Sequence, residues 1–292
     1  MVKKKGTGIS HSKIILIGEH SVVYGYSAIA IPLKNIEVKC EVEESENEIQ
    51  YDFEDTLSVA IYSALKYLGK EKIKLKYNVD SCIPQKRGMG SSAAVSIAGI
   101  KAVFDYFNIK LNYNILEELV NKAEIVAHKN PSGLDAKTCL SDKAIKFVKN
   151  KGFEKIDINL DGYLIIADTG IYGKTRDAIE NVKKLGDKAS KSLEKLGEIA
   201  ENIEDEIKEK KIVNIGKSMT LAHRELQKLN VSSEKSDTLV DEALAQGALG
   251  AKMSGGGLGG CIIALTDKKK KAEEISRKLL EKGAVNIWIE TL

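Results

Sequence analysis

The chain has 292 residues, a length that suits two domains of roughly 100 to 200 residues better than a single core, and its 43% hydrophobic and 30% charged content excludes a disordered chain. Its 45 basic and 42 acidic residues leave a net charge of only +3, without the positive field that tracks a nucleic-acid backbone. No window approaches the roughly 20 apolar residues of a membrane span, and Met-Val-Lys-Lys-Lys leads into Gly-Thr-Gly instead of an apolar leader, so a cytoplasmic protein that binds neither nucleic acid nor membrane is expected.

In chain order, Lys13 to Gly18 is a short β-branched apolar run that reads as a buried strand, and Ile29 to Pro32 and Ile36 to Val42 continue in strand-like alternation. Apolar residues from Leu57 to Leu68 follow the helical period, and a strand is predicted at Ile73 to Val79, before Pro84. A helix is predicted from Ser91 and Ser92 to Phe107, and another from about Tyr113 to His128. The turn Asn130-Pro131-Ser132-Gly133 then leads into a helix with Asp135 in its first turn. After a strand at 162–167, residues 175–229 carry periodic Leu and Ile among Lys and Glu, which predicts two or three amphipathic helices packed on a core. Strand, helix and strand close the chain at 261–265, about 271–281 and 284–289, and the break between two domains, 1–161 and 162–292, is placed near Asp161. Cys40, Cys82, Cys139 and Cys261 lack metal or redox spacing and are expected to be buried thiols.

Three stretches point to chemistry. Gly88-Met89-Gly90-Ser91-Ser92-Ala93-Ala94 enters a helix, where backbone N–H groups and the helix dipole converge as a polyphosphate requires. Pro84 to Arg87 set this loop off from the preceding strand and no acidic residue ends a second strand about 20 residues later, so a dinucleotide fold does not fit, and the Gly-x-x-x-x-Gly-Lys-Ser/Thr pattern is absent. Glu124 and Asp135 flank the proline turn, and with a serine hydroxyl they could serve a magnesium ion and an acceptor. A second glycine loop, Ser254 to Gly260, completes the set. Lys13 opens an apolar strand, an awkward place for a charge that a carboxylate partner would explain, and Glu19-His20 stands where that strand must stop. His11, His128 and His223 form no metal spacing and are read as structural.

Together these motifs resemble those of the GHMP kinases, the superfamily of galactokinase, homoserine kinase, mevalonate kinase and phosphomevalonate kinase. Three motifs match in order over nearly the whole chain, and Lys13 to Gly25, Pro131 to Asp135 and Asp168 to Arg176 look most like the bacterial mevalonate kinases within it. The resemblance implies an α+β, two-domain fold with its site in the interdomain cleft, and ATP-dependent phosphorylation of the C5 hydroxyl of mevalonate, a step of isoprenoid biosynthesis. It implies ATP on Gly88, Met89, Gly90, Ser91, Ser92, Ala93 and Ala94, Mg2+ on Ser92 and Glu124, and Asp135 as catalytic base beside Lys13. Glu19, His20, Thr175 and Gly256 would contact the acceptor, and a homodimer is possible. The chain departs from the family pattern at His11-Ser12 and Ser27, where Pro-Gly and proline are usual, and at Gly256 and Leu258, where alanine and glycine are usual. Other GHMP kinases, or a sensor that has lost turnover, are the alternatives, and intact Lys13, Glu124 and Asp135 argue against the sensor.

Overall fold

The computed structural model describes residues 4–47, 49–127 and 132–292. His128, Asn130 and Pro131 of the predicted turn lie outside the described residues. Two compact units interleave along the chain: Met1–Lys13, Pro32–Gln85 and Gly90–Asp142 form the first, and Ile14–Ile31, Lys86–Met89 and Lys143–Leu292 the second. The break near Asp161 remains a proposal about the linear order of the chain.

The first unit contains most of β1 (Lys5–Ile17), most of β2 (Ser27–Glu44), α1 (Thr56–Tyr67), β3 (Leu75–Ser81), α2 (Ser91–Tyr106), α3 (Tyr113–Ala127) and α4 (Leu134–Cys139). β3 runs antiparallel to β2, from Val38 opposite Ser81 to Glu44 opposite Leu75, and α2 packs against both α1 and α3. β1 begins eight residues before Lys13, where the apolar signal starts, because its inward alternation is carried by the small residues Gly6, Gly8, Ser10 and Ser12. The helix above the strand demands that smallness. A Cβ on Gly8 would lie 2.0 Å from the carbonyl oxygen of Ala98 on α2. β2 is continuous through Pro32, which falls between its pairing with β4 (Ala144–Val148) at Ser27 to Ala30 and its pairing with β3 from Val38 onward, so the missing N–H interrupts neither ladder.

In the second unit β4 also pairs with β5 (Gly152–Ile156), and β6 (Tyr163–Asp168), β7 (Gly250–Ser254), β8 (Cys261–Thr266) and β9 (Asn286–Thr291) form an antiparallel sheet in the order β7-β8-β6-β9. The Lys- and Glu-rich stretch folds as three helices, α5 (Thr175–Leu185), α6 (Asp187–Lys208) and α7 (Ile212–Lys228), followed by α8 (Glu234–Ala245) and α9 (Lys269–Glu281). Ile165, Ala167, Ile262 and Ala264 of the sheet bury against Leu239, Val240 and Ala243 of α8 and Ile275 and Leu279 of α9. Helices and antiparallel strands make the fold α+β. β4, β5, β7 and α8 escape the sequence reading: the strands are five residues long, β5 is largely exposed, and the buried β7 carries a lysine. All four cysteines are free, and Cys40, Cys139 and Cys261 are buried as expected. Cys82 is exposed, against expectation, because it sits one residue past the end of β3, where the chain leaves the sheet.

Candidate active site

Gly88 and Gly90 adopt left-handed backbone conformations, with φ of 75° and 70°, and Gly90 caps the N-terminus of α2. Ser91, Ser92, Ala93 and Ala94 form the first turn of the helix; the Ala94 N–H already donates to Gly90 O at 2.9 Å, and only the N–H groups before it lack a partner within the helix. A side chain at Gly90 is excluded by its neighbours as well as by its φ, since a Cβ there would lie 2.9 Å from Lys13 Cγ and 3.1 Å from Cys139 Sγ. Gly88, with Met89 in the second unit, meets the second glycine loop backbone to backbone: a Cβ on Gly255 would come within 3.2 Å of Gly88 Cα. Just before the loop, Arg87 donates from Nε to Asp168 Oδ1 at 2.6 Å and stacks 4.5 Å from the ring of Tyr172. This buried pair ties the loop's entry to the end of β6, and neither member stood out as a partner in the sequence.

In the first unit the bare space at Gly90 lets the stem of Lys13 pass, and its Nζ reaches Asp135 Oδ1 at 2.8 Å. Lys13 is 2% exposed and Asp135 33%, so the acid keeps an open face while its lysine is sealed. α4 begins after Gly133 at φ 78°, which puts Asp135 in the first turn, where the helix dipole favours a carboxylate. Glu124 on α3 is buried and accepts a hydrogen bond from the Ser92 side chain. Burial pushes its carboxyl up to about 7; the Ser92 bond and the charge of Lys13 oppose the rise, and Asp135 adds to it. Among the described residues Glu124 Oε1 is buried without a hydrogen-bond partner. A carboxylate oxygen with an open valence beside a serine hydroxyl fits the donor set of a magnesium ion, which takes one or two carboxylates and completes its shell with phosphate and water. No group of three or more His, Cys, Asp and Glu with metal-holding geometry occurs among the described residues.

The expected acceptor residues Glu19, His20, Thr175 and Gly256 all lie in the second unit. His20 adopts φ 63°, a strained conformation for a non-glycine residue, and its Nε2 lies 3.1 Å from the Gly256 carbonyl. A carbonyl only accepts, so Nε2 carries the proton and Nδ1 is the acceptor nitrogen. Burial, reinforced by the charge of Lys252 and opposed by the Gly256 bond, lowers the His20 pKa to about 4, so the ring is neutral at physiological pH. Thr175 at the start of α5 abuts Gly256, where a Cβ would come 1.9 Å from the threonine Oγ1. With Thr175 so placed, the position has no room for the alanine usual in the family pattern. Leu258 holds φ 57° where a glycine is usual, and the loop is fixed by Leu258 N–H to Val231 O and Lys174 N–H to Gly257 O.

Glu19 is buried and ion-paired with Lys252 of β7, a residue absent from the sequence reading. The available signal was the one that singled out Lys13, a lysine inside a buried strand, here in Gly-Ala-Lys-Met-Ser. His223 on α7 is fully buried, takes the Met253 N–H on Nδ1 at 3.3 Å and faces Asp237 at 3.3 Å. It holds the strand residue next to Lys252, which fits the structural role expected of it.

Two family models, the GHMP kinases N terminal domain over residues 57–143 and the GHMP kinases C terminal domain over 203–285, match the chain. The chain belongs to the GHMP kinases, a family of enzymes. It is 36% identical to mevalonate kinase of Methanocaldococcus jannaschii, over 95% of this chain and 96% of the relative, and 32% identical to mevalonate kinase of Pyrococcus furiosus, over 89% of each. Among solved structures, mevalonate kinase from methicillin-resistant Staphylococcus aureus superposes with a TM-score of 0.78 at 30% identity, covering 99% of both chains.

Proposed function

We propose that the protein transfers the terminal phosphoryl group of ATP to the C5 hydroxyl of (R)-mevalonate, giving 5-phosphomevalonate and ADP. The observation that carries this reading is the Lys13–Asp135 contact at 2.8 Å, in which the acid stays partly open. Asp135 takes the hydroxyl proton as the oxygen attacks phosphorus, and the Lys13 ammonium stabilises the charge that grows on that oxygen. Backbone N–H groups from Gly88 to Ala93 hold the phosphates, with Ala94 closing the first helical turn behind them, and the Ser92 hydroxyl and Glu124 carboxylate would hold Mg2+. Magnesium bound there supplies neutralisation of phosphate charge during transfer. Glu19, His20, Thr175 and Gly256 orient the acceptor. Phosphoryl transfer asks mainly for positioning and charge neutralisation, which this set of groups provides.

The test is a coupled ADP-release assay on the purified protein with mevalonate, phosphomevalonate, homoserine and galactose. Turnover is expected with mevalonate, and preference for another alcohol would reassign the acceptor while leaving the kinase chemistry in place. Absence of turnover with all four would favour a sensor.

A further inference from the structure

A fully buried lysine is costly unless its charge is used. Lys252 is 0% exposed on a strand buried along its whole length, burial lowers its pKa against the opposing pull of Glu19, and its ammonium is ion-paired with Glu19 Oε1. The two residues border the acceptor motifs: Glu19, just past the end of β1, precedes His20, and Lys252, in the middle of β7, stands two residues before the glycine loop that contains Gly256. Ser254, the first residue of that loop, is itself pinned, donating to Ile15 O at 2.8 Å and accepting from Ile15 N at 3.2 Å. The pair is therefore held on a rigid frame.

On the proposed reading the acceptor carries a carboxylate. Glu19 alone would repel it, and His20, neutral with Nε2 committed to Gly256, presents an acceptor nitrogen and no positive charge. We infer that Lys252 is a specificity-determining positioning residue, whose ammonium cancels the charge of Glu19 and holds its Oε1, so that Glu19 can accept an acceptor hydroxyl while an anionic acceptor is still admitted. The inference deepens the mevalonate reading and rests on it. It also resolves an apparent conflict in the motif, an acidic residue placed to greet an acid.

The experiment compares mevalonate with its C1 carboxamide, which differ in charge and hardly in shape, through the ratio of their kcat/KM values at pH 8. In Lys252→Met the ratio should fall about tenfold or more against the acid, since an unpaired Glu19 charge then opposes it. In Glu19→Gln/Lys252→Met, which leaves no lone charge, it should return to within about threefold of wild type. Glu19→Gln/Lys252→Arg, whose guanidinium cannot lose its proton, should raise the ratio about tenfold, and this variant carries the test if Lys252→Met does not fold. KM for ATP should stay within about twofold throughout, because uniform binding of the nucleotide is untouched. A lysine with a merely structural role would lower Tm and leave the ratio flat, and a flat ratio in folded Glu19→Gln/Lys252→Arg overturns the inference. Failure of the wild-type protein to phosphorylate mevalonate would instead sink the reading beneath it.

Discussion

Each unit has a buried lysine paired with a carboxylate, and the two pairs treat the acid differently. Lys13 and Asp135 are 2% and 33% exposed, whereas Lys252 and Glu19 are 0% and 3% exposed. An acid that must take a proton from a reacting hydroxyl needs a face that the hydroxyl can reach, and Asp135 has one. An acid that takes no proton and only accepts a hydrogen bond needs far less open surface, and its pairing with a lysine strengthens as water leaves. On the proposed reading a lysine–carboxylate pair does chemistry in one unit and positioning in the other, and exposure of the carboxylate separates the roles.

The largest expected effect tests the open pair. Asp135→Asn should lower turnover by about 10² to 10⁴ with ATP binding retained, the usual worth of a positioned base. A folded variant that keeps more than about a third of wild-type turnover in the ADP-release assay would break the comparison at its first term. Glu124→Gln, next in size, should raise the magnesium concentration for half-maximal activity on the order of tenfold or more and leave KM for mevalonate nearly unchanged. The reverse pattern would place Glu124 with the acceptor.

The sealed side is sharpened by acid. His223 has its pKa lowered from 6.5 to about 4, first by burial, with Asp237 opposing. A histidine whose folded pKa lies below its unfolded value binds fewer protons when folded. Its contribution is therefore fully present above pH 6.5 and is lost as the pH falls toward 4, to the extent of about 3 kcal/mol. Denaturant unfolding of wild type and His223→Asn at pH 7 and pH 4.5 should show a smaller acid loss in the variant; equal losses would mean that this buried ring does not resist protonation. The smallest effect is Gly256→Ala, whose Cβ would meet Thr175 Oγ1 and should cost about 1 to 3 kcal/mol, partly recovered by Thr175→Ala. Thermal melts of the single and double variants give the comparison.

The helices of the first unit and the three helices after Thr175 were legible in the sequence because apolar residues recur on their inward faces at the helical period. The first half of β1 was not, since glycine and serine do the inward alternation there. Lys13 could be read because a charge interrupts the opening of a strand of isoleucine and leucine. Lys252 gives the same signal more weakly, in the short strand Gly-Ala-Lys-Met-Ser, and its partner lies far away in the sequence. Spacing could bring Glu124, Asp135 and Ser92 under suspicion together, but the hydrogen bond of Ser92 to Glu124 and the passage of Lys13 past Gly90 are facts of packing. The tautomer of His20 depends likewise on a carbonyl more than two hundred residues away in the chain.

The interleaving of the two units sets an order on the nascent chain. Once Asp142 has left the ribosome every segment of the first unit has been made, and β4, which pairs with the start of β2, follows within a few residues. Glu19, in contrast, must wait for a lysine 233 positions further on before its charge is matched, so the N-terminal stretch 14–31 is synthesised early and finished late. Such distant closures are slow, and a chain cut short of β7 would carry an acid built for burial with no counterion to bury it. A copy ended before β7 would thus hold Lys13, Glu124 and Asp135, the residues of the proposed chemistry, and still leave Glu19 without its counterion.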